Sequence, residues 1–368
     1  MIAARHLLVA GASGVIGAAA VEHFAQLPGW RVTALSRRRP VVAEGTAFAH
    51  VAVDLRDAGA CEEAVAGIGP VTHLVYAAVA EARGLAAGWR DPATIADNGA
   101  MFANLLGPLA RAGALHHVNL LQGAKAYGAH VHAVTVPCRE DGPRDDHPNF
   151  YWLHEDLLRD AAAEGGFDFT IWRPQVLLGW APGAAMNPVA AIGAFAALCR
   201  ARGQPFALQG ESEALWEVVD AALLARAMAW ATDSPWAAGE TFNLTNGDVF
   251  VLRHAWQDLA QRMGLRVDGA SGAGFHSLFN DPQAQADWAG IAAQHGLVEP
   301  SLAALVGQSD CYLDLLLASR IAAKVSPVLL STIKLRQAGF TDCTDSFAAL
   351  VSNLERMVEL RLLPPLFS

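Results

Sequence analysis

Leu7-Leu8-Val9-Ala10-Gly11-Ala12-Ser13-Gly14-Val15-Ile16-Gly17 is the stretch that decides the fold. An apolar, strand-like run ends on a glycine turn that opens directly into a helix-like segment. Such a turn lets the backbone reverse tightly and present free N–H groups to a pyrophosphate at the helix N-terminus. Glycine-rich turns also serve plain packing, so the surrounding pattern has to support the reading.

Outward from this turn, short β-type runs alternate with longer helical ones, the pattern of a parallel sheet wound with helices. The strand-like runs are His6–Ala10, Arg31–Leu35, Ala47–Val53, Thr72–Tyr76, Val118–Leu121 and Phe167–Trp172. Helical segments Val15–Gln26, Cys61–Ile68 and Ala93–Ala112 lie between them. Several strands are apolar throughout, as expected when both sheet faces are covered. The fold class expected is α/β, a Rossmann-type doubly wound parallel sheet with a smaller, mainly helical C-terminal substrate lobe. After Pro174 helical pieces dominate (Pro188–Arg202, Asp220–Ala231, Arg253–Met263), with short extended runs such as Glu240–Thr245 between them. Gly269–Gly274 reads as a loop. The expected division is a dinucleotide-binding domain at 1–178 with returning segments at about 215–250, and a substrate lobe at 179–368.

Composition narrows the function. Of 368 residues, 53% are hydrophobic and 17% charged, and 26 basic groups against 36 acidic ones give a net charge of −10. That balance opposes nucleic-acid or anionic-membrane partners held by bulk charge. No uncharged apolar stretch reaches the roughly 18 residues of a membrane span; the richest, Pro188 to Cys199, has the length of a core helix. The apolar start resembles a signal peptide, but its glycines have the explanation above. Five cysteines without a CxxC pair suggest neither a disulfide framework nor a zinc ribbon, which fits a reducing cytoplasm. His116-His117 and His130-x-His132 lack a third ligand at a recognisable spacing, so no metal is expected. A small-molecule substrate is expected, and a homodimer is compatible with the sequence.

The cofactor's identity turns on the second strand. The GxxGxxG spacing is the variant associated with short-chain dehydrogenases. Roughly 20 residues on, where an NAD site places an acidic residue, stands Ser36-Arg37-Arg38-Arg39-Pro40. A carboxylate there would repel a 2′-phosphate, whereas guanidinium forks bind one bidentately. NADPH is the cofactor this predicts; a solvated basic turn is the plain alternative. In Asp54-Leu55-Arg56-Asp57, Asp54 is placed to hold an adenine amino group, and a helix N-cap by Asp57 is equally compatible.

A short-chain dehydrogenase normally carries Tyr-x-x-x-Lys on a helix. The four tyrosines here, Tyr76, Tyr127, Tyr151 and Tyr312, are followed four residues later by Ala80, Val131, Glu155 and Leu316, so the standard dyad is absent. The chain uses three lysines (Lys125, Lys324, Lys334) against 23 arginines. One of them, Lys125, falls just after the strand Val118–Leu121, at the carboxyl edge where ligands bind in such sheets. A compact ammonium with a movable pKa suits that position. Tyr151 begins the helical segment Tyr151–Glu164, the usual place of a catalytic tyrosine; Tyr127, two residues from Lys125, is its rival, and spacing alone does not choose between them.

With these residues in place, the chain resembles the progesterone 5β-reductase/iridoid synthase-like family, an atypical branch of the extended short-chain dehydrogenases. The resemblance is carried by Ser36-Arg-Arg, Asn98-Gly-Ala-Met-Phe102, Leu121-Gln-Gly-Ala-Lys125-Ala-Tyr127 and Pro137-Cys-Arg-Glu-Asp-Gly-Pro143-Arg144. It continues through Pro148-Asn-Phe-Tyr151-Trp-Leu-His-Glu155-Asp156, Arg173-Pro-Gln-Val-Leu-Leu-Gly179, Met186-Asn187 and Thr241-Phe-Asn-Leu-Thr-Asn-Gly-Asp-Val-Phe250, in order along nearly the whole chain.

That likeness implies that Lys125 and Tyr151 form the catalytic pair, and that NADPH reduces an enone or enal C=C bond. Cofactor contacts are expected at Gly11, Ser13, Gly14, Val15, Ile16, Gly17, Ser36, Arg37, Arg38, Asp54, Leu55, Ala77, Ala78, Gln122, Pro174 and Val176. Departures from the family pattern fall at Trp152, Gln122, Ala126 and Gln175. Trp152, Gln175 and Met186 are therefore candidates for the substrate pocket, and the family's substrates do not transfer directly. Carbonyl reduction or sugar-nucleotide epimerisation on the same fold, and a catalytically silent NADPH-binding regulator, are the competing readings. Asp220 and Asn243 are expected to hold the returning segments rather than touch substrate.

Overall fold

The computed structural model describes all residues except 1–4, 83, 86, 87, 211, 212, 214, 270–273, 318–326 and 368. Lys324 and residues 270–273 of the glycine-rich loop expected at Gly269–Gly274 lie outside the described residues. In chain order the elements begin with β1 (Arg5–Ala10), α1 (Val15–Ala25), β2 (Trp30–Leu35), β3 (Ala49–Val51), α2 (Ala58–Ile68) and β4 (His73–Tyr76). Next come α3 (Pro92–Arg111), β5 (His117–Leu121), α4 (Phe150–Gly165) and β6 (Asp168–Pro174). β7 (Val176–Leu178), α5 (Pro188–Arg202), β8 (Val218–Asp220), α6 (Ala221–Ala231) and β9 (Glu240–Leu244) follow. The remainder is helical: α7 (Leu252–Arg262), α8 (Phe275–Phe279), α9 (Pro282–His295), α10 (Leu302–Val306), α11 (Ser309–Leu316), α12 (Ile333–Gln337) and α13 (Ser346–Glu359).

These elements form two compact units. The first comprises 1–175, 221–245 and 328–342; the second comprises 176–220, 246–327 and 343–368. The first unit is built on a seven-stranded parallel sheet of order β3-β2-β1-β4-β5-β6-β9, a doubly wound Rossmann-type arrangement. Its strands are buried on both faces, which is why Leu7-Leu8-Val9-Ala10 and Val118 to Leu121 carry almost no polar alternation. One face is filled by Leu8, Leu74, Phe102, Leu105, Leu120 and Ile171 beneath α2, α3 and α4. The strand order changes direction between β1 and β4, and the glycine turn lies at the carboxyl end of β1 at that switch point.

Local chemistry sets the helix starts. Asp91 accepts the N–H of Thr94 at 3.0 Å and Pro92 fills the first helical position of α3. Asp57 caps α2 through the N–H of Ala60 at 3.0 Å. The edge strand is shorter than the expected Ala47–Val53, because only Ala49–Val51 find partners on β2. The expected extended run near Glu240 becomes β9, in register with β6 from Thr170↔Glu240 to Pro174↔Leu244.

In the second unit β7 and β8 pair as a two-stranded parallel ribbon, and helices supply the rest. The apolar stretch Pro188–Cys199 is buried all round within α5, as its core-helix length predicts. No helix among the described residues is long and apolar enough to cross a membrane.

Candidate active site

The glycine turn is shaped by steric necessity. Gly11 has φ +78°, and a Cβ there would lie 2.6 Å from the Ala78 nitrogen and 2.7 Å from the Ala77 carbonyl; one on Gly17 would lie 2.2 Å from the Gly11 oxygen. Gly14 occupies the N-cap of α1, and no side chain satisfies the first N–H groups of that helix. The helix N-terminus thus carries a positive dipole end and unpaired donors over a surface stripped of side chains, which fits a pyrophosphate. Ser13 and Ile16 are half-buried beside it, whereas Val15 is buried.

At the end of β2, Ser36 is buried and its hydroxyl donates to the Arg38 carbonyl at 2.6 Å, which folds the chain so that Arg37 and Arg38 project into solvent. Neither guanidinium has a hydrogen bond or ion pair among the described residues. The third arginine differs: Arg39 lies over the Phe48 ring at 4.4 Å. Asp54 is exposed and accepts the Arg56 N–H at 3.1 Å, while Leu55 is buried.

Beyond β5, Ala124–Tyr127 form a short 3₁₀ turn that carries Lys125. Asn149 then fixes the start of α4 relative to this turn. Its carbonyl oxygen accepts the Tyr151 N–H at 3.1 Å, and its amide donates to the Lys125 carbonyl at 3.3 Å. An N-cap residue therefore also sets the spacing between the two predicted catalytic residues. A Cβ on Gly123 would lie 3.4 Å from the Tyr151 hydroxyl and 3.3 Å from the Pro174 carbonyl, so the phenol reaches the carboxyl edge of β5 and β6.

Lys125 and Tyr151 both face Glu81, which follows β4. The Lys125 Nζ is 3.6 Å from Glu81 Oε1 and lies 4.3 Å from the centre of the Trp89 ring. Burial lowers the Lys125 pKa and the Glu81 charge opposes that shift. The Tyr151 hydroxyl, in a residue only 5% exposed, is pushed well above its ordinary value by burial first and by the Glu81 charge second, with Arg173 opposing. In the protein alone, burial and the carboxylate outweigh the nearby Arg173 charge. The phenol stays protonated at neutral pH, and its hydroxyl has no hydrogen-bond partner among the described residues.

The rival tyrosine is committed elsewhere. Tyr127 donates its hydroxyl to Asn243 Oδ1 at 2.6 Å, and Asn243 in turn donates to the carbonyls of Cys138 and Ser331, both at 3.1 Å. Glu155, where the standard dyad would place lysine, is buried and accepts from Arg144, Arg173 and Gln122, each at 3.0 Å. Gln122 spends its carbonyl oxygen on the Arg173 Nε at 3.1 Å, so its amide belongs to this network. Among the pocket candidates, Trp152 donates its indole N–H to the His147 carbonyl at 3.1 Å, and Gln175 donates to the Val328 carbonyl at 2.8 Å. Met186 is half-buried and Val176 begins β7, both in the second unit. Asp220 accepts from Asn353 at 3.1 Å.

The histidine pairs do not converge. His117 bonds Thr170 at 3.2 Å at the amino edge of the sheet, and His116 packs against the His73 ring 5.9 Å away. His132 pairs with Asp145 at 2.9 Å, whereas His130 packs against His147. Glu81 and Trp89 escape a reading by motif, since neither belongs to a recognisable spacing; the position of Glu81 after a sheet strand was the one available signal. For Asn149 the one signal in the sequence is an asparagine just before a helical run, a common N-cap position.

The profile of the NAD dependent epimerase/dehydratase family matches residues 7–245. The chain is 28% identical to the (S)-8-oxocitronellyl enol synthase of Antirrhinum majus over 377 residues, covering 97% of this chain and 92% of that one. It is 30% identical to the 3-oxo-Δ(4,5)-steroid 5β-reductase of Arabidopsis thaliana over 282 residues, covering 71% and 70% respectively. Among solved structures, the UDP-glucose 4-epimerase of Thermotoga maritima superposes with a TM-score of 0.67 at 17% identity, covering 96% of this chain and 99% of that one. The chain belongs to the NAD dependent epimerase/dehydratase family, in the branch of the 8-oxocitronellyl enol synthases and steroid 5β-reductases. It is an oxidoreductase of the short-chain dehydrogenase type, built for a nicotinamide dinucleotide.

Proposed function

We propose that this enzyme reduces activated carbon–carbon double bonds of enones or enals with NADPH. The observation that carries the reading is the Tyr151 hydroxyl: buried, held protonated, without a partner among the described residues, and set beside the same carboxylate as Lys125. The 2′-phosphate of the cofactor is assigned to the unpaired guanidinium groups of Arg37 and Arg38, and its pyrophosphate to the N-terminus of α1. When bound, the dinucleotide supplies a hydride from its nicotinamide ring to the β-carbon of the substrate.

Addition at the β-carbon moves the π electrons toward the carbonyl, and negative charge develops on its oxygen. Tyr151, as a neutral phenol, donates a hydrogen bond to that oxygen; one such donor is worth about 3–4 kcal/mol, or two to three orders of magnitude in rate. Lys125 keeps a positive charge near the developing anion. A proton taken up from solvent at that oxygen would yield an enol, which tautomerises to the saturated carbonyl compound. The names of the relatives agree with this chemistry: one makes an enol, and a 3-oxo-Δ(4,5)-steroid is an enone.

The test is NADPH oxidation against a panel of small enals, cyclic enones and steroid enones, each beside its saturated ketone. Turnover of enones with little on the ketones is expected. Preference for the ketones would favour carbonyl reduction, and cofactor binding without turnover on either set would favour a regulatory role.

A further inference from the structure

Within the second unit, His276 on α8 meets Asp310 and Cys311 on α11. The His276 Nδ1 is 2.9 Å from Asp310 Oδ2 and 3.2 Å from Cys311 Sγ, and one donor atom from each of the three residues lies within 4.8 Å of the others. A cysteine, a histidine and an aspartate also compose a nucleophile relay, but a relay uses the two ring nitrogens separately, one for the thiol and one for the carboxylate. Here both approach the same nitrogen. Three donors converging on one point is the geometry of ligands around an ion.

We propose that His276, Asp310 and Cys311 form a binding site for one divalent transition-metal ion, with zinc the preferred occupant. Thiolate and imidazole donors select such ions over magnesium or calcium, which take oxygen. With Zn–S near 2.3 Å and Zn–N or Zn–O near 2.1 Å, tetrahedral donors stand about 3.3–3.6 Å apart. The histidine–aspartate and histidine–cysteine separations open slightly to reach that spacing, and the remaining pair already lies within 4.8 Å. Half-exposed His276 leaves the remaining coordination position to water.

The site is supported from behind. Asp314, one turn beyond Asp310 on α11, accepts the backbone N–H groups of Phe275 at 2.6 Å and His276 at 3.1 Å, which locks the start of α8 over the other two ligands. Phe275 is fully buried and packs edge-on against Phe195 of α5. The Asp310 carboxylate is itself held through Oδ1, which accepts the Cys311 N–H at 2.7 Å. Ligands drawn from positions 276, 310 and 311 have no spacing by which sequence could announce them.

Cobalt(II) titration of the chelator-treated full chain tests the proposal. A near-ultraviolet thiolate-to-cobalt charge-transfer band should rise to one equivalent and be abolished by Zn²⁺. Cys311→Ser should remove the band, His276→Ala should weaken binding at least about tenfold, and Cys343→Ser and His132→Ala should leave both unchanged. Zn²⁺ should also raise the thermal midpoint of the wild-type chain and not that of Cys311→Ser, with circular dichroism showing both folded. Absence of the band in the wild type, its persistence in Cys311→Ser, or its loss in Cys343→Ser would overturn the assignment.

Discussion

The carboxylate of Glu81 stands 3.6 Å from the ammonium of Lys125 and raises the pKa of the neighbouring Tyr151 phenol. Burial is the larger influence on both groups; within it the Glu81 charge favours the ammonium of the lysine and the neutral phenol of the tyrosine. Removing its charge in Glu81→Gln lowers the pKa of each. Because burial already depresses Lys125, the alkaline limb of kcat/KM should move to lower pH. A profile that superposes on the wild type would show that neither group governs turnover.

Tyr151→Phe removes the hydroxyl and preserves the ring that fills its buried site. Enone turnover should fall about 10²-fold or more, while the dissociation constant for NADPH stays nearly constant, because the lost interaction is made with the transition state. Full activity in this variant would falsify the assignment.

Arg37 and Arg38 project from the end of β2 without partners among the described residues. Hydrogen bonds to a charged group are worth about 1.5–3 kcal/mol each, so Arg37→Ala and Arg38→Ala should each weaken NADPH roughly tenfold or more and NADH far less. Calorimetric titration with both dinucleotides separates the two cases; equal losses would argue against contact with the 2′-phosphate.

Acid should destabilise the first unit before its carboxylates titrate. Burial pushes His73 down to about 3 and His117 and His154 to about 4. Their folded pKa values are depressed below the ordinary 6.5, so the unfolded chain binds more protons and the stability is complete above pH 6.5 and lost as pH falls toward 4. Each site costs up to about 1.4 kcal/mol per pH unit across that window. The urea midpoint should therefore drop between pH 7 and pH 5, and a midpoint constant over that range would contradict the burial of neutral imidazoles.

Glu155 accepts from Arg173, Arg144 and Gln122 behind the Tyr151 helix. Glu155→Gln leaves the Arg173 guanidinium buried without its counter-charge, a change that typically costs about 3–5 kcal/mol. Denaturant unfolding should report a loss of that order. A loss within 0.5 kcal/mol, the scale of ordinary surface substitutions, would mean that water solvates Arg173 after all.

The sheet was legible because a parallel strand buried on both faces leaves an uninterrupted apolar run, as at Leu7 to Ala10, and because the glycine turn has few uses in that position. Lys125 and Tyr151 stand out in the sequence through scarcity, one of three lysines and one of four tyrosines, and through family resemblance; that both lie close to one carboxylate is seen only in the fold. Glu81 was not legible, since a lone carboxylate after a strand looks like any solvated loop residue until the fold closes around it. Nor was the engagement of Gln122 with Arg173 and Glu155, which depends on three elements meeting in space. The upward shift of the Tyr151 pKa is hidden for the same reason: sequence shows the lysine and not the carboxylate.

The segment 328–342 has a consequence for biosynthesis. Cys138 receives a hydrogen bond from Ser331 and gives one to Leu329, both at 2.8 Å, and Lys334 reaches Glu240 at 2.7 Å. The backbone ahead of Tyr151 is therefore stitched to residues that leave the ribosome long after it. A nascent chain can wind its sheet early, yet it must wait for those late residues before the stretch around Cys138 acquires its native partners.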